Sequence, residues 1–205
     1  MSDITTKQKI SSVAIELFAQ KGYKDVSMRE IAREVGIKAS SLYKHYANKE
    51  AILLGIFDLF KEMMSQTEFP REQVIAYVRS VSPEAYLNEA FKQFKQVMWA
   101  PVTVKIAKII TMEQRRNRAV CDFFLQELIE KPNRIMKDVF DTMLENGKIA
   151  DIDTAAAAHE YNAYIVYLYF EQNFLKESLS LSEIDEKMKR HNAFFARYVL
   201  KENKG

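Results

Sequence analysis

Little in this 205-residue chain punctuates a backbone or performs covalent chemistry. It has one cysteine, three histidines, four prolines and five glycines. One cysteine excludes an internal disulfide, which fits a reducing, cytoplasmic setting. Cys121, followed by Phe123 and Phe124, reads as a small buried hydrophobe, with a thiol sensor as the alternative. So few glycines and prolines leave too few turns for a sandwich or barrel, whereas Ala, Leu, Ile, Glu and Lys favour helices. No apolar run approaches ~20 residues, so a membrane span is not expected, and the polar N-terminus does not read as a signal peptide. Gly-rich phosphate loops, nucleophile-elbow patterns and His/Glu pairs at metal-binding helical spacing are all missing. His159, Glu160 and distant His191 make no convincing metal site, so no metal or cofactor is expected and an enzyme is disfavoured.

What is present is concentrated between residues 27 and 50, SMREIAREVGIKASSLYKHYANKE. Ala32, Gly36 and Leu42 fall at offsets 0, 4 and 10, with Ile31, Val35 and Ile37 between them. A small residue at 32 lets two helices approach, Gly36 supplies the freedom a sharp turn needs, and Leu42 packs back onto the first helix. That is the plan of a helix-turn-helix, whose second helix enters the DNA major groove. Ser27 and Glu30 read as a capping box at the start of the pair. Upstream, Ile10, Val13, Ala14, Leu17 and Phe18 form one helical stripe ended by Gly22; downstream, Asn48 caps a helix expected to run from Lys49 to about Gln66.

The phrases LFAQKGY, SMREIAREVGI and SLYKHYANKEAIL, in that order, resemble the tetracycline-repressor (TetR) family of bacterial transcriptional regulators over roughly residues 5–60. The resemblance implies an all-α protein. A three-helix DNA-binding domain would occupy residues 1–48 and a helical ligand-binding and dimerisation domain residues 49–205. Charge is compatible: the net +2 divides into +3 over residues 1–50 and −1 over the rest.

Helical patterning continues to the end, giving about nine helices and no strand. Breaks are expected at Pro70, Ser82–Pro83, Pro101, near Pro132 and at Asn146–Gly147. Lys105 and Lys108 make the β-rich segment VTVKIAKII a helix. Asp153 is expected to cap the next helix, Ser182 with Asp185 the last, and the tail KENKG to fray.

If the fold holds, Lys38, Ala39, Ser40 and Ser41 stand nearest the bases and Lys44 one turn further on. Either lysine can donate to guanine, and Ala39 can meet a thymine methyl. Tyr43, His45 and Lys49 resemble family positions that touch the sugar-phosphate backbone, and Ser27 and Arg29 can reach phosphate from the preceding helix. The resemblance also implies an effector pocket. Its candidate lining is Phe91, Phe94, Met98, Trp99, Met112, Phe123 and Phe124, with Asn162 and Tyr164 among the polar groups, suited to a small hydrophobic or aromatic effector. The crowding of Tyr161, Ile165, Leu168, Tyr169, Phe194, Phe195 and Tyr198 exceeds what one amphipathic face needs. It points to a homodimer paired through the last two helices. The run Gln114–Arg118 reads as a solvated helix end complementing the helix dipole, ahead of a site for an anionic effector. The leading function is a ligand-responsive repressor on a palindromic operator. An activator of the same kind, a helical small-molecule carrier and an enzyme are the alternatives.

Overall fold

A computed structural model describes residues 5–201. Among them every regular element is helical, as the composition predicts: α1 (Thr6–Lys21), α2 (Met28–Val35), α3 (Ala39–His45), α4 (Lys49–Ser65), α5 (Arg71–Ser80), α6 (Pro83–Met98), α7 (Pro101–Glu113), α8 (Arg118–Phe123), α9 (Lys131–Glu145), α10 (Thr154–Phe170) and α11 (Leu181–Phe194). A π-helical segment, Phe124–Glu130, joins α8 to α9 without a break. Counting that run once gives ten helical rods, against about nine expected. The reason Pro132 fails to interrupt it is local. It closely follows the π segment, whose wider turn accommodates a residue without an N–H donor. Short π segments also end α10 and α11, closed by Lys176 N–H to Glu171 O and Leu200 N–H to Phe195 O, at 3.1 and 2.9 Å.

Caps follow the sequence in most places. Asn48, Asp153 and Gly36 act as expected, and Pro101 opens α7. Two cap expectations need correction. The Ser27 hydroxyl accepts from Glu30 N–H, but the Glu30 carboxylate turns to Lys21 instead, so the capping box is half formed; the reciprocal box belongs to Thr5 and Gln8. The last helix is capped by Ser180, two residues before Ser182, because Ser180 reaches Glu183 N–H. The tail beyond Lys201 lies outside the described residues.

The chain divides into two compact units: residues 1–66 with 97–125, and residues 67–96 with 126–205. In the first, α1 packs on α2, α4 and α7, and α7 also meets α4 and α8. Ile10, Phe18, Ile31, Leu42, Ile52, Ile56, Phe60, Ile106 and Ile110 are fully buried there. Phe123 stacks on Phe57 at 4.3 Å and meets Phe60 edge-on at 5.8 Å, so it belongs to this core. Met98 and Trp99 are buried in the same unit, whereas Met112 is 45 % exposed and Phe124 half-buried.

In the second unit, α9 packs along α10, and α5 also packs on α9. Tyr161, Leu168, Tyr169 and Phe195 point into this unit's own interior. Phe194 and Tyr198 lie on the outside, 57 % and 58 % exposed, and Tyr167 joins them at 54 %. Ile165 is half-buried. Phe91 is buried, Phe94 and Asn162 are half-buried, and Asn162 donates to Asn133. His191 lies among rings, stacked on Tyr164 at 4.2 Å, and burial pushes its pKa down to about 4, which keeps the imidazole neutral. At the centre the Tyr161 hydroxyl donates to Asn192 Oδ1, and Asn192 Nδ2 donates to Asn88 Oδ1, both at 3.0 Å. Tyr161→Phe removes the first donor and leaves a buried amide oxygen without its partner. A loss of about 1–2 kcal/mol is expected in urea unfolding.

Candidate nucleic-acid interface

The geometry of the reader starts from the turn. Gly36 adopts φ +80°, ψ 29°, and its neighbour Ile37 N–H reaches Ala32 O at 2.9 Å while Gly36 N–H reaches Arg33 O at 3.1 Å. That paired closure needs a left-handed residue, which an L side chain adopts only under strain. Leu42 and Ala32 are buried at 0 % and 2 % exposure, and they hold α3 against α2. Gly55 serves a second close approach, since a Cβ there would stand 3.2 Å from the Tyr46 ring. Tyr46 is thereby seated under α4, with its hydroxyl 3.1 Å from Ser11 Oγ.

With Leu42 directed inward, the remainder of α3 is offered to solvent. Lys38, Ser40, Tyr43, Lys44 and His45 are exposed, and Ala39 and Ser41 half-exposed. On α2, Ser27 and Arg29 are exposed at the helix start. The expected contact residues are therefore exposed or half-exposed, with a single exception. Lys49 turns its ammonium inward: Nζ donates to Tyr23 O (2.5 Å), Val26 O (2.7 Å) and Lys24 O (3.2 Å), and lies 4.3 Å over the Tyr23 ring. Its three protons are committed to the α1–α2 loop, so its side chain is not offered to phosphate. Burial lowers the Lys49 pKa, opposed by Glu113 and Asp25, and burial followed by Glu50 and Glu113 raises that of Tyr23. Nothing in the sequence separates a clasping lysine from a phosphate-binding one. The aromatic Tyr23 ahead of a glycine-ended helix is the nearest signal.

A second tie fixes the same loop. Lys21 Nζ lies 2.6 Å from Glu30 Oε1, and this bond holds the Glu30 carboxyl below its usual pKa. Together the two lysines clamp the 22–26 segment from both ends, setting the angle at which α2 and α3 leave α1. Among the described residues, no group of three or more His, Cys, Asp or Glu side chains converges as a metal site would, and no helix is long and apolar enough to cross a membrane.

An exposed α3 held on α2 by one buried leucine and a left-handed glycine has the geometry of a helix-turn-helix. Residues 10–56 match the family profile described as bacterial regulatory proteins, tetR family. A protein named as a regulator of mycofactocin biosynthesis, MftR of Mycobacterium tuberculosis, is 53 % identical over 53 residues, 26 % of this chain and 27 % of its own. The negative transcriptional regulator IcaR of the biofilm operon icaADBC in Staphylococcus epidermidis is 50 % identical over 46 residues, 22 % of this chain and 25 % of its own. The chain thus spans about a quarter of the length of these curated relatives. A TetR family transcriptional regulator from Pseudomonas syringae pv. tomato shares the fold across 98 % of both chains, with a TM-score of 0.73 at 15 % identity. Residues 10–56 thus match the tetR family of bacterial regulatory proteins, within a chain that shares the fold of such a regulator over nearly its whole length.

Proposed function

We propose that the protein is a homodimeric transcriptional repressor that binds a palindromic operator and is released from it by a small hydrophobic effector. The observation that carries the reading is the exposed α3 surface, with its polar side chains free while Leu42 alone anchors the helix. Lys38, Ala39, Ser40, Ser41 and Lys44 read base edges; Ser27, Arg29, Tyr43 and His45 hold the backbone. A single such helix reads too few base pairs to be selective. Two of them ~34–36 Å apart enter successive major grooves. The exposed aromatic side chains Tyr167, Phe194 and Tyr198, on α10 and at the end of α11, support pairing with a second copy through these helices. In this reading residues 1–48 carry DNA recognition and residues 49–205 carry effector binding and dimerisation. An effector that fits better when the readers are splayed shifts the population away from the operator-binding spacing.

Tyr43 and Lys44 separate positioning from reading. Tyr43→Ala is expected to weaken binding about equally to every duplex in an operator library. Lys44→Ala should change preference at particular base pairs, by about 1–3 kcal/mol at the pair it reads. Equal losses for both variants across the library would refute that division.

A further inference from the structure

The arginines that follow α7 lie far outside the stretch that matches the family, yet they belong to the same compact unit as the reading helices. That unit contains fifteen Lys/Arg against ten Asp/Glu, whereas the other has fifteen against eighteen. Positive charge therefore gathers with the reader more sharply than a division of the sequence at residue 50 reveals.

Local contacts lead from the α1–α2 loop to the end of α7. Lys49 holds the carbonyl of Val26, one residue before the exposed start of α2 at Ser27. The buried Glu113, last residue of α7, acts electrostatically on both Lys49 and Tyr23. Its neighbour Met112 lies beside Gly22, where a Cβ would stand 3.9 Å from the Met112 methyl. The chain then turns tightly, with Arg116 N–H and Asn117 N–H both donating to Glu113 O at 2.9 and 3.0 Å. Asn117 caps α8, and Arg118 is occupied by Asp122 at 2.9 Å. Arg115 and Arg116 are exposed and have no acidic partner among the described residues.

We infer that Arg115 and Arg116 extend the DNA-binding surface, contacting backbone phosphates at the flank of the site from the α7–α8 turn. The inference rests on the DNA-reading assignment above and commits to duplex DNA as the occupant. Charge complementarity supports that occupant, as does the contact of the α7 end with Gly22, where the loop leading to α2 begins. Guanidinium groups suit phosphate because their donors engage two oxygens at once. With the ammonium of Lys49 turned inward, these two exposed side chains are the positive charge that the α7–α8 turn offers in this unit. A role confined to complementing the α7 dipole would affect stability and leave DNA binding alone.

The test uses the full-length protein and the duplex that the wild type selects from fragmented genomic DNA. Binding of the wild type, R115Q/R116Q, R115K/R116K and the surface control R134Q on α9 is measured from 50 to 300 mM salt. Each phosphate contact contributes about 0.9 to the slope of log K against log salt. In a dimer the glutamine pair should flatten the slope by about 2–4 and weaken binding about 10- to 100-fold at 150 mM, with base preference unchanged. The lysine pair should keep most of the slope, and R134Q should match the wild type. A glutamine-pair slope equal to that of R134Q, on a normally selected duplex, would overturn the extension while sparing the reader. Failure of the wild type to select any duplex would refute the reading assignment itself, and the extension with it.

Discussion

Phe60→Ala is expected to cost the first unit about 3–5 kcal/mol, the largest single loss predicted for this protein. Phe60 is wholly buried on α4, edge-on to Phe123, which in turn stacks on Phe57. Removing its ring leaves a void bounded by two stacked rings on different helices, which cannot both close upon it. Urea unfolding should show a lower midpoint with an unchanged slope. A loss below about 1 kcal/mol would mean that the core around α4, α7 and α8 collapses freely, contrary to the packing described. The consequence extends to function, because the helices that position α3 share this core.

Lys49→Ala is the second large effect, and it discriminates between two roles. As a clasp, Lys49 satisfies three carbonyls of the α1–α2 loop, two of them at part-buried bonds. Its removal is expected to destabilise the protein by about 2–4 kcal/mol. The salt slope of DNA binding, measured where the variant remains folded, should stay that of the wild type. As a phosphate contact, it would leave stability within about 0.5 kcal/mol and flatten the slope by about 0.9 per protomer. Thermal unfolding combined with a salt titration distinguishes these outcomes directly.

This lysine shows where the sequence can be read and where it cannot. Ala32, Gly36 and Leu42 announce the helix-turn-helix because each has one physical task at a fixed offset, and the structure gives each that task. Pro101, Asn48 and Asp153 mark helix starts for the same reason: capping is local. Lys49 is different. An ammonium beside a loop can face either water or carbonyls, and the choice depends on the path of residues 22–26, set by packing that involves α7 more than fifty residues away. The halved capping box has the same origin, since Glu30 is claimed by Lys21 across a helix gap.

The aromatic side chains of α10 and α11 show another limit. Their density suggests helices buried on two sides. Spacing alone does not say that Tyr161, Leu168, Tyr169 and Phe195 face inward while Phe194 and Tyr198 face outward. Tyr161 and Phe194 differ because only one reaches Asn192 and the rings of Phe140 and Phe195. Likewise the effector-pocket candidates divide between two units: Phe123 is committed to the rings of α4, whereas Phe91 and Asn162 belong to the other unit. A long-range partner decides each case, and single-sequence periodicity contains no record of it.

Selection tests operator binding most directly. Full-length protein is mixed with fragmented genomic DNA across a range of salt, and the bound pool is sequenced. A dimeric reader should enrich one palindrome whose half-sites lie about one helical turn apart, with binding that weakens steeply as salt rises. Only weak, sequence-independent binding that vanishes with salt would contradict it.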